Sequence, residues 1–287
     1  MLSETTNLRH GDLGRIASLV TVRDIFSPFI ASFDAASAVS EVWEQWETDL
    51  CENECPLNHM ALVMRDHKPV GLLSFEALDA DKKTVGECMN EIRIDALITE
   101  DTSLIHAAEM FANSATHFFV VIKGNEIVGW MSYHDLYKLP FRLCLFASLL
   151  AVEEKMLQVS QQNPHLAFET LPDGRKIAAR RVYEMRGFAR GTHAREETSL
   201  LLTCTTFIDK ATILKRCPET KRLIPAACEK EWMLLAEKVR NSLAHANPDE
   251  QLFVIVEREK FGGFLMWLAR LETELMSFLT NAASTLD

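Results

Sequence analysis

The chain has 287 residues, of which 48% are apolar, and a formal net charge of −11 at pH 7. This length allows two hydrophobic cores, because single domains usually contain about 100–200 residues. The charge is uneven: residues 1–141 carry 22 acidic and 10 basic side chains, whereas residues 142–287 carry 19 and 20. The acidic first half is excluded as a general nucleic-acid surface, since neutralising phosphates requires cations.

Neither a membrane span nor a secretory signal is expected. The most apolar run, residues 143–152, is shorter than the roughly 20 residues that cross a bilayer. The N-terminal segment lacks the apolar stretch of a signal peptide. The 7 cysteines, an odd number without framework spacing, favour free thiols in a reducing compartment. We therefore expect a cytoplasmic protein without a membrane partner.

Residues 20–141 contain an internal repeat in which each copy has the same order of predicted elements. Each copy opens with a Thr-Val dipeptide, continues with a helical pattern, and ends with two apolar runs around a polar turn. The helical patterns and hairpins lie at 37–46 and 61–74 in the first copy, and at 103–112 and 118–132 in the second. The pattern predicts an α+β fold for this half.

The two hairpins end in related sequences, Val-Gly-Leu-Leu-Ser-Phe-Glu-Ala at 70–77 and Val-Gly-Trp-Met-Ser-Tyr-His-Asp at 128–135. With the Thr-Val openings, these resemble the two motifs of a tandem CBS pair, or Bateman module. The resemblance implies a regulatory adenine nucleotide such as ATP, ADP or AMP. We expect an extension over 1–19 and CBS domains over 20–80 and 81–141.

In the second copy, the resemblance implies that Asp135 binds the ribose of the nucleotide. Ser132 and His117 would then contact its phosphate. A carboxylate can accept from both ribose hydroxyls, and a hydroxyl near a helix start can donate to a phosphate. An alternative stays open, in which Ser132 caps the following helix and Asp135 occupies its first turn. Because the first copy has Ala77 in place of the aspartate, although Glu76 lies next to it, one functional site is expected.

After Pro140 the sequence predicts an all-α helical bundle over residues 142–287. Amphipathic patterns with a helical period lie near 141–161, 175–189, 198–216, 226–246 and 259–281. Four or five helices of this length suffice for a bundle. Its densest basic stretch contains Arg175, Lys176, Arg180, Arg181, Arg186, Arg190 and Arg195. This stretch is either a solvated helix face or a track for RNA.

The segment Glu-Lys-Val-Arg-Asn-Ser-Leu-Ala-His at 237–245 is the most informative in the chain. It places Arg240 five positions before His245, with the polar Asn241 directly after the arginine. It resembles the catalytic Arg-x4–6-His motif of HEPN ribonucleases, and residues 205–214 resemble the long helix that precedes it. This HEPN-like resemblance, over about 142–285, implies a homodimer whose two motifs meet, single-stranded RNA as substrate, and cleavage that requires no metal.

The proposed chemistry gives each motif residue a role. His245 would act as general base or acid, Arg240 would stabilise charge on the phosphoryl oxygens, and Asn241 would orient either group. The family products are a 2′,3′-cyclic phosphate and a 5′-hydroxyl. Residues five apart on a straight helix point roughly 140° apart, so one helix cannot easily close the pocket alone. Alternatively, Arg240 and His245 have no catalytic role and are only positively charged residues near a helix C-terminus, where such residues are favourable.

No metal site is expected. Cys51, Cys55 and His59 are four apart, but Pro56 interrupts any helix, and a structural zinc requires a fourth ligand. The sequence therefore predicts a nucleotide-regulated, metal-independent endoribonuclease that acts as a homodimer, in stress response or defence. The alternative is a non-catalytic nucleotide sensor whose helical half dimerises or recruits a partner.

Overall fold

The computed structural model of the chain describes residues 19–29, 31–52, 60–114, 116–187, 194–244 and 258–284. These residues divide into two compact units: Val20–Pro140, and Leu19 together with the described residues from Phe141 onward. The first unit is α+β and the second is mostly helical, so the predicted fold classes of the two halves are confirmed. Within this described part, no helix combines the length and apolarity that crossing a membrane requires.

The first unit contains two copies of one strand–helix–hairpin arrangement. Its elements are β1 (Ser32–Asp34), α1 (Val39–Glu52), β2 (Met60–Arg65), β3 (Lys68–Ser74), β4 (Asn90–Glu91), β5 (Leu97–Thr99), α2 (Leu104–Asn113), β6 (Phe118–Lys123) and β7 (Glu126–Ser132). The sheets have strand orders β1-β2-β3-β4 and β5-β6-β7. In each copy the first strand pairs in parallel with the second, which pairs antiparallel with the third.

The two hairpins share one register. Met60 lies opposite Ser74 in the first, and Phe118 lies opposite Ser132 in the second. Each hairpin also has an irregularity at the same position, after Val63 and after Val121. The internal repeat inferred from the sequence is therefore a repeat of backbone structure.

The opening segment of each copy packs on the other copy. The Val22 N–H donates to the Thr102 carbonyl at 2.9 Å, and the Val85 N–H donates to the Ser37 carbonyl at 3.0 Å. Val85 is fully buried in the core of the first copy, beside residues such as Trp46. Because each copy supplies part of the other's packing, the two copies stabilise each other.

Glycines allow these exchanged segments to cross the hairpins closely. Gly71 in β3 and Gly129 in β7 occupy equivalent positions. A Cβ on Gly129 would lie 2.4 Å from the Ser27 carbonyl oxygen, and one on Gly71 would lie 2.5 Å from the Met89 sulfur. Neither position accepts a Cβ without a shift of its neighbours. At Gly129 the nearest atom belongs to the backbone, whereas at Gly71 the two nearest atoms belong to the Met89 side chain.

The second unit consists of helices α3 (Leu139–Gln162, which begins two residues before the unit boundary), α4 (Pro164–Glu169), α5 (Asp173–Met185), α6 (Ala194–Thr203), α7 (Phe207–Arg216), α8 (Pro218–Leu223), α9 (Lys230–Ala244) and α10 (Arg258–Ser284). One core cluster joins α4 to α7 and includes Phe168, Tyr183, Leu202 and Ile213. A second apolar contact joins α3 to α10, where the rings of Phe141 and Phe261 lie 6.1 Å apart.

The prediction of a single helix over 198–216 is wrong, because the structure has two helices there. Helix α6 ends at Thr203, and α7 begins at Phe207 after the cap residue Thr206. The Thr206 N–H donates to Asp209 Oδ2 at 3.0 Å, and the Asp209 N–H donates to Thr206 Oγ1 at 3.4 Å. This reciprocal capping box satisfies both N–H groups and fixes a helix start at this point. Helix α7 has 10 residues and begins two residues after the start of the 205–214 segment.

Gly129→Ala should destabilise the chain by about 1–3 kcal/mol, because the new methyl group meets the backbone of Ser27. Gly71→Ala should cost less, since the two nearest atoms belong to the flexible Met89 side chain. Urea unfolding of both variants measures the difference. Equal free energies of unfolding for the two variants would contradict this account.

Candidate functional sites

The predicted nucleotide contacts Ser132 and Asp135 lie where β7 ends and a 3-10 helix, Tyr133–Tyr137, begins. The Ser132 N–H donates to Asp135 Oδ2 at 2.6 Å, and the Ser132 hydroxyl donates to the same oxygen at 3.0 Å. Asp135 is 6% exposed. The structure thus brings the two residues together in the local contact that the sequence left open as an alternative to ligand binding.

Lys138 engages the other oxygen of the Asp135 carboxylate. Its ammonium nitrogen lies 2.7 Å from Asp135 Oδ1 and also donates to the Ile25 carbonyl at 2.5 Å. Both carboxylate oxygens therefore already have partners. A ribose that binds through Asp135 would have to share or displace Lys138, whose side chain is 44% exposed and can move.

His117, the third predicted nucleotide contact, is an exposed residue just before β6. Its carbonyl accepts a hydrogen bond from the Tyr133 N–H at 3.4 Å, which ties it to the same 3-10 helix. In the first copy, Ser74 precedes the equivalent 3-10 helix, Phe75–Ala77, and makes no side-chain cap there. The charged arrangement at the end of the hairpin therefore belongs to the second copy.

A cavity of about 500 Å³ lies at the opposite end of β7 from Asp135. Its lining residues are Pro28, Phe29, Ala31, Ser32, Leu62, Ile127 and Val128. Val128 precedes Ser132 by four residues on one strand, which corresponds to about 13 Å. The three predicted contacts are not part of this lining, so the cavity and the carboxylate are two separate features along β7.

Arg240 and Asn241, two of the predicted catalytic residues, lie on α9. The Arg240 Nη1 donates to Asn241 Oδ1 at 3.1 Å, and Arg240 Nη2 lies 3.3 Å from Glu153 Oε2 on α3. The Arg240 side chain is 33% exposed. His245 lies outside the described residues. The structure therefore brings the arginine and the asparagine together and adds a carboxylate from another helix.

Glu153 also binds Lys210, a residue that the sequence analysis did not single out. Lys210 Nζ donates to Glu153 Oε1 at 3.0 Å and to the Thr205 carbonyl at 2.6 Å. Lys210 is only 4% exposed. One carboxylate thus pairs with two cations, and the group formed by Glu153, Lys210 and Arg240 has a formal charge of +1. The only sequence signal for it was a charged residue inside an apolar helix pattern.

A second ionic group lies at the start of α7. Arg175 donates to both carboxylate oxygens of Asp209, each at 2.6 Å. Burial alone would raise the pKa of Asp209, but hydrogen bonds from Arg175 and Thr206 outweigh it and lower this pKa below its ordinary value. For Glu237 on α9, burial is the main effect and raises the pKa, and the nearby charge of Asp209 adds to it.

Part of the predicted basic stretch is engaged within the helical unit. Arg175 binds Asp209 as above, Lys176 pairs with Glu169 at 2.7 Å, and the Arg180 guanidinium lies 5.6 Å from the centre of the Phe168 ring. The other members are exposed or have side chains outside the described part: Arg181, Arg186, Arg190 and Arg195. These contacts favour a structural role for the first three cations.

Metal ligation has no support within the described residues, which contain no group of three histidine, cysteine or carboxylate side chains that could hold an ion. The side chains of Cys51, Cys55 and His59 lie outside the described part of the chain.

Residues 85–141 match the family model of the CBS domain. The CBS prediction for the second copy is therefore confirmed, and the shared register of the first copy supports the prediction of a CBS pair. No curated protein matches the chain significantly. No comparison supports the HEPN assignment of the helical half.

Several solved structures are similar to part of the chain. CBSX2 from Arabidopsis thaliana, solved in complex with AMP, is 18% identical with a TM-score of 0.31, and the match covers 41% of this chain and 92% of that one. The CBS domain of a membrane protein from Sphaerobacter thermophilus is 18% identical with a TM-score of 0.35, and the match covers 46% of this chain and 94% of that one. The CBS pair of MJ0100, solved with 5′-methylthioadenosine and S-adenosylmethionine, is 22% identical with a TM-score of 0.32. That match covers 41% of this chain and 93% of that one.

Glu237→Gln should stabilise the chain relative to wild type increasingly as the pH rises. The folded-state pKa of Glu237 is raised, so its contribution is fully favourable below the unfolded pKa of about 4.3 and is lost as the pH rises through the folded value. Glutamine keeps the neutral form at every pH. Chemical unfolding of both proteins between pH 4 and pH 8 tests this, and a pH-independent difference would contradict it.

Proposed function

We propose that the first unit binds an adenine nucleotide at one site in its second copy, and that the helical unit is the effector it regulates. The supporting observation is the CBS match over 85–141, which includes Ser132 and Asp135 at the end of β7. The chemistry suits a nucleotide. Asp135 would accept hydrogen bonds from the ribose hydroxyls, while Ser132, His117 and the displaced Lys138 would contact the phosphate.

The first copy lacks the aspartate, having Ala77 at that position, so we propose a stoichiometry of one nucleotide per chain. AMP, which one of the similar structures contains, and ATP are suitable first probes, and S-adenosylmethionine, which another contains and which has no phosphate, is a comparison ligand.

Asp135→Asn should weaken nucleotide binding by about 10- to 100-fold, because hydrogen bonds to a charged group contribute about 1.5–3 kcal/mol. Isothermal titration calorimetry with AMP, ATP and S-adenosylmethionine measures this. Glu76→Gln, at the corresponding hairpin end of the first copy, is the matched control and should bind like wild type. Equal affinity for all three proteins, or no heat with any adenine compound, would argue against the site.

For the effector we propose a metal-independent endoribonuclease that uses Arg240, Asn241 and His245 and is completed by a second copy of the chain. The observation that favours it is the charge around Arg240. This side chain is one-third exposed, and its group keeps a formal charge of +1. An anionic phosphodiester would be attracted to such a group. His245 would then transfer protons between the 2′-hydroxyl and the leaving 5′-oxygen.

His245→Ala should reduce cleavage of single-stranded RNA at least about 100-fold, because a general acid or base contributes about 10²–10⁴-fold. His165→Ala, an exposed histidine on α4 of the same unit, is the matched control and should retain activity. The assay contains EDTA, with and without nucleotide, and the products should carry a 2′,3′-cyclic phosphate.

Absence of cleavage by the wild-type protein at every pH and nucleotide tested would rule out the ribonuclease. The remaining function would be a non-catalytic sensor whose helical unit dimerises or recruits a partner. Sedimentation with and without nucleotide would then detect ligand-dependent assembly.

A further inference from the structure

Glu153 is an unusual residue for its position on α3. Its side chain is 12% exposed, and its neighbours on the helix, such as Val152 and Met156, are fully buried. Burying a carboxylate costs several kcal/mol unless cations and hydrogen bonds compensate. Glu153 therefore depends on the groups that pair with it, and these are contributed by two other helices.

The two cations of the group are held differently. Lys210 is hydrogen-bonded to Glu153 Oε1 and to the Thr205 carbonyl, which the break between α6 and α7 leaves outside any helix. Arg240 lies at ion-pair distance from Oε2, but the contact lacks the alignment of a hydrogen bond. Among the described residues, Arg240 Nε and Glu153 Oε2 are buried without a hydrogen-bond partner. Lys210 is thus the fixed partner, and the guanidinium is held mainly by charge.

We infer that Glu153 is a positioning residue for Arg240, and that Lys210 sets the charge with which it does so. This inference rests on the proposed ribonuclease function. Fixing a free arginine side chain costs conformational entropy. Holding the guanidinium before substrate arrives removes part of that cost from the reaction.

The sharing of the carboxylate matters for an anionic substrate. If Glu153 paired with Arg240 alone, the two charges would cancel, and the carboxylate would compete with a phosphodiester for the guanidinium. Lys210 contributes a second positive charge without reaching solvent, since its side chain is 5% exposed. The group therefore orients Arg240 and still attracts a phosphate.

The test compares Glu153→Gln, Lys210→Met and the double variant in the full-length chain, measuring kcat and KM on single-stranded RNA and the urea midpoint. Glu153→Gln should lower kcat by up to about 100-fold, the effect of a misplaced group. The double variant restores the formal charge of +1. It should therefore recover much of the stability lost in Glu153→Gln but not the kcat. Recovery of kcat together with stability would overturn the inference.

Lys210→Met tests the charge separately. It should raise KM more than it lowers kcat, because Glu153 then neutralises Arg240 completely; an unchanged KM would overturn this part. The control is Glu272→Gln, which removes the partner of Lys155 on the same helix α3. That variant should lower stability without changing kcat, and a loss of kcat equal to that of Glu153→Gln would mean that any damage to α3 has this effect.

A readout without RNA separates this inference from the ribonuclease itself. In unfolding experiments, Glu153→Gln and Arg240→Ala should be non-additive, since each removes the same contact. If the wild-type chain cleaves no RNA but the coupling is present, the proposed function fails and the holding of Arg240 by Glu153 stands. Additive effects on unfolding would overturn the inference whatever the cleavage assay shows.

Discussion

Charges buried at the start of α7 must be paired, and this requirement organises the helical unit. Asp209 and Lys210 are adjacent, nearly inaccessible to solvent and opposite in sign. Neither can be satisfied by its neighbour alone, so Asp209 takes Arg175 from α5 and Lys210 takes Glu153 from α3. Removing one partner of such a pair leaves an uncompensated charge at a cost of several kcal/mol. The helix break before Phe207 also helps to pair these charges, because it leaves the Thr205 carbonyl available to accept a hydrogen bond from Lys210.

The first unit depends on a different constraint, the close crossing of backbone segments over Gly71 and Gly129. A close crossing occurs at the equivalent position of both copies, and their hairpins share one register. The hairpin ends of the copies differ in charge, since Asp135 stands in one and Ala77 in the other. The scaffold is therefore repeated, whereas the charged chemistry is present once. The polar side-chain partners of the aspartate, Ser132 and Lys138, come from its own copy.

The parts of the fold that the sequence predicted are those encoded by local periodicity. The hairpins and most helices have period-2 or period-3.6 patterns, and the structure has elements in the expected order. The break within 198–216 was missed because the Thr-Thr-x-x-Asp capping signal was included in an amphipathic pattern. Glu153 and Lys210 could not have been found, since they lie 57 residues apart and no local pattern links them.

The arrangement around Asp135 also limits which ligand the proposed site can take. A ribose whose hydroxyls donate to Asp135 competes with Lys138, whose ammonium lies 2.7 Å from that carboxylate and would lose the ion pair. A nucleoside offers no replacement, whereas a nucleotide brings an anionic phosphate that Lys138 can bind. The loss of one ion pair is offset only in the second case. Lys138 also donates to the Ile25 carbonyl in the exchanged opening segment, so its movement would alter a contact between the two copies. A nucleotide favours such a change only to the extent that it binds one arrangement more tightly than the other.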